Sequence, residues 1–186
     1  MSLIPAFEIG LLNAWIFIIP LIVLWLVGIK FLFSKRMPKF KVPNTGTDKI
    51  LSIFLALTMF GSYFYSIFLP FAIGTIWLIL GSLVYLVGVV LIIFTMIDFA
   101  STPLDKPVTK GIYRYSRNPM FIGFFLVYFG ISFACVSWVY FLITVFFIVI
   151  VNYNSAFEEE VTLEHYGDEY KQYMKRTAKW IGMPKR

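Results

Sequence analysis

The sequence predicts an all-α integral membrane protein with five transmembrane helices and a functional site at the cytoplasmic face, built by the C-terminal half. Hydrophobic residues make up 60% of the chain and the mean hydropathy is +0.82, which excludes an ordinary soluble domain. Three stretches carry no charge at all: residues 9–29, 50–97 and 118–157, of 21, 48 and 40 residues. All 16 Lys and Arg lie outside them, six in residues 30–49, four in 106–117 and six in 171–186. A net charge of +6 is therefore explained by membrane orientation, and no nucleic-acid partner is expected.

The first uncharged run is long enough to cross a hydrocarbon core of about 30 Å once. It lacks a basic lead-in and is expected to be a retained span, kinked at Pro20. The Pro- and Gly-containing segment 30–49 reads as a cytoplasmic basic loop. As one helix the second run would be about 70 Å long, so it must turn back once. Leu69-Pro70 and Gly74 mark that turn, giving spans near 50–69 and 74–97. Gly74, Gly81 and Gly88 recur every seven residues, placing small side chains on one helix face for close packing.

Residues 98–117 form a second charged segment in which Pro103 and Pro107 oppose a continuous helix. The third run, folded as a helical hairpin over 119–157, turns near Cys135-Val136-Ser137. Cys135, the only cysteine, reads as a small buried residue without a disulfide partner in the chain. Two regions follow: three spans in 1–97, and a catalytic region in 98–186. If the first basic loop is cytoplasmic, alternation puts every Lys and Arg on that side, with the N-terminus outside and the C-terminus cytoplasmic.

The spans hold no ionisable residue at mid-depth, which disfavours an ion-conducting or proton-coupled role. Chemistry is expected at the cytoplasmic ends. Residues 111–123, GIYRYSRNPMFIG, concentrate Tyr, Arg and Asn donors just ahead of a new apolar helix. Glu158-Glu159-Glu160 leaves the last span, and on a continuing helix Asn154, Glu158 and Thr162 share a face. Tyr166, Tyr170 and Tyr173 follow at i, i+4 and i+7, an interfacial amphipathic pattern that Arg176 and Trp180 extend. His165 is the only histidine, and no metal site is expected. No phosphate-binding loop, dinucleotide fingerprint or hydrolase signature occurs.

Taken together, Gly111, Tyr113, Arg114, Arg117, Pro119 and Gly123, then Glu158-Glu159, then Tyr166-Gly167, Tyr170, Tyr173 and Arg176 resemble the isoprenylcysteine carboxyl methyltransferase and phospholipid methyltransferase family of integral membrane enzymes. The likeness spans roughly the last 80 residues. It departs at Asn118, where the family commonly has His, and at Phe121, where it commonly has Tyr. Asn keeps hydrogen-bonding capacity but cannot act as an imidazole.

What the resemblance implies is S-adenosylmethionine at the cytoplasmic face and a lipophilic or small acceptor, whose carboxylate, amine or thiol is methylated, arriving from the bilayer lipids. It implies cofactor contacts from Val108, Gly111, Tyr113, Arg117, Asn118, Pro119, Phe121, Glu158 and Glu159, with Arg176 and Glu159 as catalytic residues. In that reading Arg117 and Asn118 serve the cofactor carboxylate, Glu158 or Glu159 its diol or ammonium, and Tyr113 or Phe121 its walls. No protein partner is evident. Two other readings stay open: a nicotinamide-dependent reductase resembling sterol reductases, and a non-catalytic membrane scaffold or carrier.

Overall fold

The computed structural model describes residues 9–28 and 46–184. Six α-helices occur among the described residues: α1 Trp15–Val27, α2 Gly46–Ser66, α3 Ile76–Ala100, α4 Pro119–Ala134, α5 Trp138–Tyr166 and α6 Asp168–Arg176. A 3-10 turn, Gly111–Arg114, stands between α3 and α4. The β-type pairing among these residues is an isolated antiparallel bridge between Asn13 and Pro70. Large apolar side chains such as Leu57, Leu86 and Leu142 point outward, more than half exposed, as expected of surfaces solvated by lipid.

Among the described residues three helices are long and apolar enough to cross a membrane: Lys49–Ser66 within α2, Ile76–Ala100 and Trp138–Tyr166. The other two expected spans are shorter apolar helices, Trp15–Val27 and Pro119–Ala134. At 16 residues α4 extends about 24 Å, less than the hydrocarbon thickness. The first expected span is shortened because residues 9–14 leave the helix to pair with the turn after α2: Ala14 N donates to Leu69 O at 2.8 Å, and Phe71 N to Leu12 O at 3.2 Å. Pro20 does fall inside α1. Most of the basic loop, residues 29–45, lies outside the described residues, whereas Gly46 to Lys49 are already helical in α2.

The turns at 67–75 and 135–137 fall where the punctuation placed them. Ala72 N donates to Ala134 O at 2.9 Å, so the starts of α1 and α3 and the ends of α2 and α4 gather at one end of the bundle. Close packing of α3 on α4 explains two of the three spaced glycines. A Cβ on Gly81 would stand 2.6 Å from Gly130 O, and one on Gly88 would stand 2.7 Å from Gly123 O. These glycines let the two backbones touch. Gly74 does not share that face: it precedes the helix, with φ +79°, because the turn requires a left-handed residue. Tyr85, Ile92, Val127, Tyr128, Ile131, Tyr140, Phe147 and Val151 fill the core between α3, α4 and α5.

At the other end, α5 runs straight past Phe157, through the three glutamates, to Tyr166. The hairpin's second arm is thus longer than the uncharged run, because helical hydrogen bonding is indifferent to where the apolar stretch stops. Gly167, φ +55°, then ends α5 and redirects the chain into α6.

Candidate functional site

The segment between α3 and α4 is fixed first by an acid the sequence did not single out. Asp98, near the end of α3, accepts the Ile112 backbone N–H at 2.9 Å and occupies the space a side chain on Gly111 would need. Gly111 is left-handed, φ +56°, so only glycine lets the 3-10 turn close over that carboxylate. Val108 is buried ahead of it. Pro119 starts α4 at a position where the missing N–H costs nothing.

Asn118 stands at the N-cap of α4 but does not cap it. Its amide Nδ2 donates instead to Glu159 Oε1 and to Lys179 O, both at 3.2 Å. Arg117 Nε lies 3.2 Å from the same carboxylate oxygen, with the two side chains 11% and 12% exposed. The Nε hydrogen is not aimed at it, so the contact is a charge pair and Nε makes no hydrogen bond. A carboxylate shared by a guanidinium and an amide, beside the start of α4, is held by three favourable fields at once.

A strap formed by residues 177–182 closes the knot. Arg117 N donates to Ala178 O and Gly182 N to Tyr115 O, each at 3.0 Å. Ser116 Oγ donates to Lys179 O at 3.3 Å and accepts from Asn118 N at 3.0 Å. Beyond it, Trp180 Nε1 donates to Asn152 Oδ1 at 3.2 Å, and its ring leans on Phe125 at 5.5 Å. The expected Tyr166-to-Trp180 stripe is therefore broken twice. Gly167 separates Tyr166, whose hydroxyl donates to Leu104 O at 3.3 Å, and α6 ends at Arg176 before Trp180.

Tyr170 and Tyr173 are buried within the protein at 6% and 7% exposure, which overturns their reading as part of an amphipathic pattern at the membrane interface. Tyr173 OH donates to Tyr113 O at 2.7 Å and to Ser116 O at 3.3 Å, clamping α6 onto the loop. Burial pushes both phenols above their ordinary range, and the Glu159 charge adds to the effect at Tyr170.

The remaining expected residues divide. Glu158 is exposed and accepts Asn154 Nδ2 at 2.8 Å, the same-face contact expected of a continuing helix, while Glu159 turns toward Arg117. Phe121 is partly buried and packs against the hydrophobic core. Arg176 lines a cleft of about 440 Å³ with Thr109, Arg114, Glu169, Gln172, Tyr173 and Thr177. Of these, Thr109, Glu169, Gln172 and Thr177 were not expected. Glu169, Gln172, Tyr173 and Arg176 stand at i, i+3, i+4 and i+7, a one-face pattern that the sequence does contain. Among the described residues no group of three or more His, Cys, Asp or Glu is placed to hold a metal ion.

The model of a family described as phospholipid methyltransferase matches residues 71–169, just over half of the chain, from the turn before α3 into the start of α6. No curated protein and no solved structure matches the chain.

Proposed function

The chain belongs to the phospholipid methyltransferase family of membrane methyltransferases, and from that premise we propose that it transfers a methyl group from S-adenosylmethionine to a lipophilic or small acceptor at the cytoplasmic membrane face. The single observation that carries this reading is the convergence of three separated stretches, residues 111–119, Glu159 and residues 170–182, on one knot beside a polar cleft. When bound, S-adenosylmethionine supplies an electrophilic methyl group on a sulfonium.

The residues present fit such a ligand. The cleft has the volume of a small-molecule pocket, and its lining offers cations, a carboxylate, an amide, hydroxyls and the Tyr173 ring. The chain's own contribution is alignment and exclusion of water. Asp98 fixes the loop, Tyr173 clamps α6 to it, and the Arg117–Asn118–Glu159 knot ties both to the strap. Displacement at a methyl carbon needs no protein nucleophile, so positioning on rigid helix ends is the larger part of the catalysis asked of the protein. Lys106, Lys110, Arg114 and Arg117 share this end of the bundle, which supports its assignment to the cytoplasm.

Calorimetric titration of detergent-solubilised protein with S-adenosylhomocysteine, alongside NADPH, tests the reading. Saturable binding of the first and none of the second is expected. NADPH binding alone would reject it in favour of a reductase. Labelled methyl transfer to phosphatidylethanolamine, isoprenylcysteine analogues and simple thiols then sorts the acceptors.

A further inference from the structure

We propose that the strap, together with Tyr115, docks onto anionic phospholipids of the leaflet that adjoins the charged end of the bundle. The proposal does not depend on the methyl-donor reading.

The tyrosines of α6 cannot make such a contact, because Tyr170 and Tyr173 are buried. Three other large apolar side chains at this end stand in the open: Tyr115 at 56% exposure, Ile181 at 80% and Met183 at 89%. Gly182 N donates to Tyr115 O at 3.0 Å, so the two segments present them as one apolar tip. Single exposed apolar residues are ordinary, but three held together form a patch that calls for a cover.

Trp180 sets the depth at which that tip lies. Its indole N–H reaches Asn152 Oδ1 at 3.2 Å and its ring leans on Phe125 at 5.5 Å, while Lys179 Nζ donates to Asn152 O at 3.1 Å. Asn152 is exposed on α5, inside the uncharged run and six residues before Glu158. Phe125 lies six residues past Pro119 on α4. Each is about 9 Å along its helix from where the charges begin. The strap therefore rests against α4 and α5 at the depth where hydrocarbon gives way to headgroups. An indole with its N–H satisfied, beside a lysine with a long apolar stem, suits that boundary.

Charge selects the lipid. Residues 106–117 and 171–186 hold ten Lys and Arg and no Asp or Glu. The two segments are tied together by Arg117 N to Ala178 O and by Ser116 Oγ to Lys179 O. Arg117 is committed to Glu159, but Lys106, Lys110, Arg114, Lys171, Lys175 and Arg176 are exposed. A zwitterionic surface would cover the apolar tip and leave these cations without counter-charge, whereas an anionic surface meets both needs. Because Lys179 O accepts from Asn118 and from Ser116, the contact reaches the loop that opens α4.

The full-length protein carrying Cys135→Ala and Ile181→Cys is placed in nanodiscs of phosphatidylcholine alone, or with one third phosphatidylglycerol, and alkylated with a polar uncharged maleimide. Met183→Cys in the same background is the second strap site, and Asp168→Cys, on α6, controls for the surface potential. Equal unfolding midpoints with the parent protein report folding, and both strap positions are open enough to tolerate the change. The strap thiols should react at least about fivefold more slowly in the anionic discs, the worth of one cation at such a surface, and the α6 thiol should change less. Lys171→Gln with Lys175→Gln, or raising salt to about 0.5 M, should return most of the lost rate. Equal strap rates in the two discs overturn the proposal. So does equal slowing at Asp168→Cys, or slowing that survives both charge removal and salt.

Discussion

Removing the Glu159 carboxylate should show that the Arg117–Asn118–Glu159 knot is a coupled unit. At 3.2 Å the charge pair is worth about 5 kcal/mol gross at an effective dielectric constant near 20, much of it offset by desolvation. Two further effects act when Glu159 becomes Ala. Asn118 Nδ2 loses one of its two acceptors, and the Arg117 guanidinium, 11% exposed, is left without its counter-charge. The net cost should be about 2–4 kcal/mol. Arg117→Met alone strands the carboxylate and should cost about 2–3 kcal/mol. The double variant strands neither charge, so its cost should fall below the sum by about 1–3 kcal/mol. Unfolding followed by tryptophan fluorescence in mixed detergent micelles gives all three values. Additive costs would refute the coupling. A Glu159→Ala protein as stable as the parent would refute the claim that this carboxylate anchors the knot with Arg117 and Asn118.

Two other predictions follow from the packing and the clamp. Gly88→Ala should cost about 1–3 kcal/mol by forcing α3 and α4 apart at Gly123. Gly74→Ala, which meets no neighbour, should cost only the left-handed strain of about 1 kcal/mol; equal losses in thermal unfolding would contradict the helix-contact reading of Gly88. Because the Tyr170 and Tyr173 phenols are raised above their ordinary value by burial, the unfolded chain ionises them first as pH climbs. Their contribution is whole below about pH 10 and is lost above it, at up to about 1.4 kcal/mol per pH unit for each tyrosine. Tyr173→Phe should lower stability at neutral pH and flatten the alkaline decline by one tyrosine's share, and an unchanged slope in stability between pH 10 and 11.5 would count against it.

How much was legible beforehand varied with the physics behind each feature. Charge and hydropathy have long-range consequences that any fold must respect, so helical class, the turns near Pro70 and Cys135, and the charged end carrying residues 111–119 and Glu159 could all be read. Helix lengths were less legible. Hydropathy does not register that residues 9–14 pair with the loop after α2, or that α5 keeps its hydrogen bonds well past the end of the uncharged run at Phe157. Among the site residues, the three blocks were visible as blocks, but Asp98 was not, since one acid at the end of an apolar helix looks like a boundary marker.

The sequence by itself determined a helical membrane protein with its polar chemistry at one end, because burial of about 60% apolar residues and confinement of every cation leave few alternatives. Only the tertiary structure decided which cation meets which acid. Arg114, Arg117 and Arg176 are equivalent as letters. One is paired under a strap while the other two line an open cleft, and that difference comes from a left-handed Gly111 over Asp98, a left-handed Gly167 that redirects α6, and a single tyrosine hydroxyl joining the two.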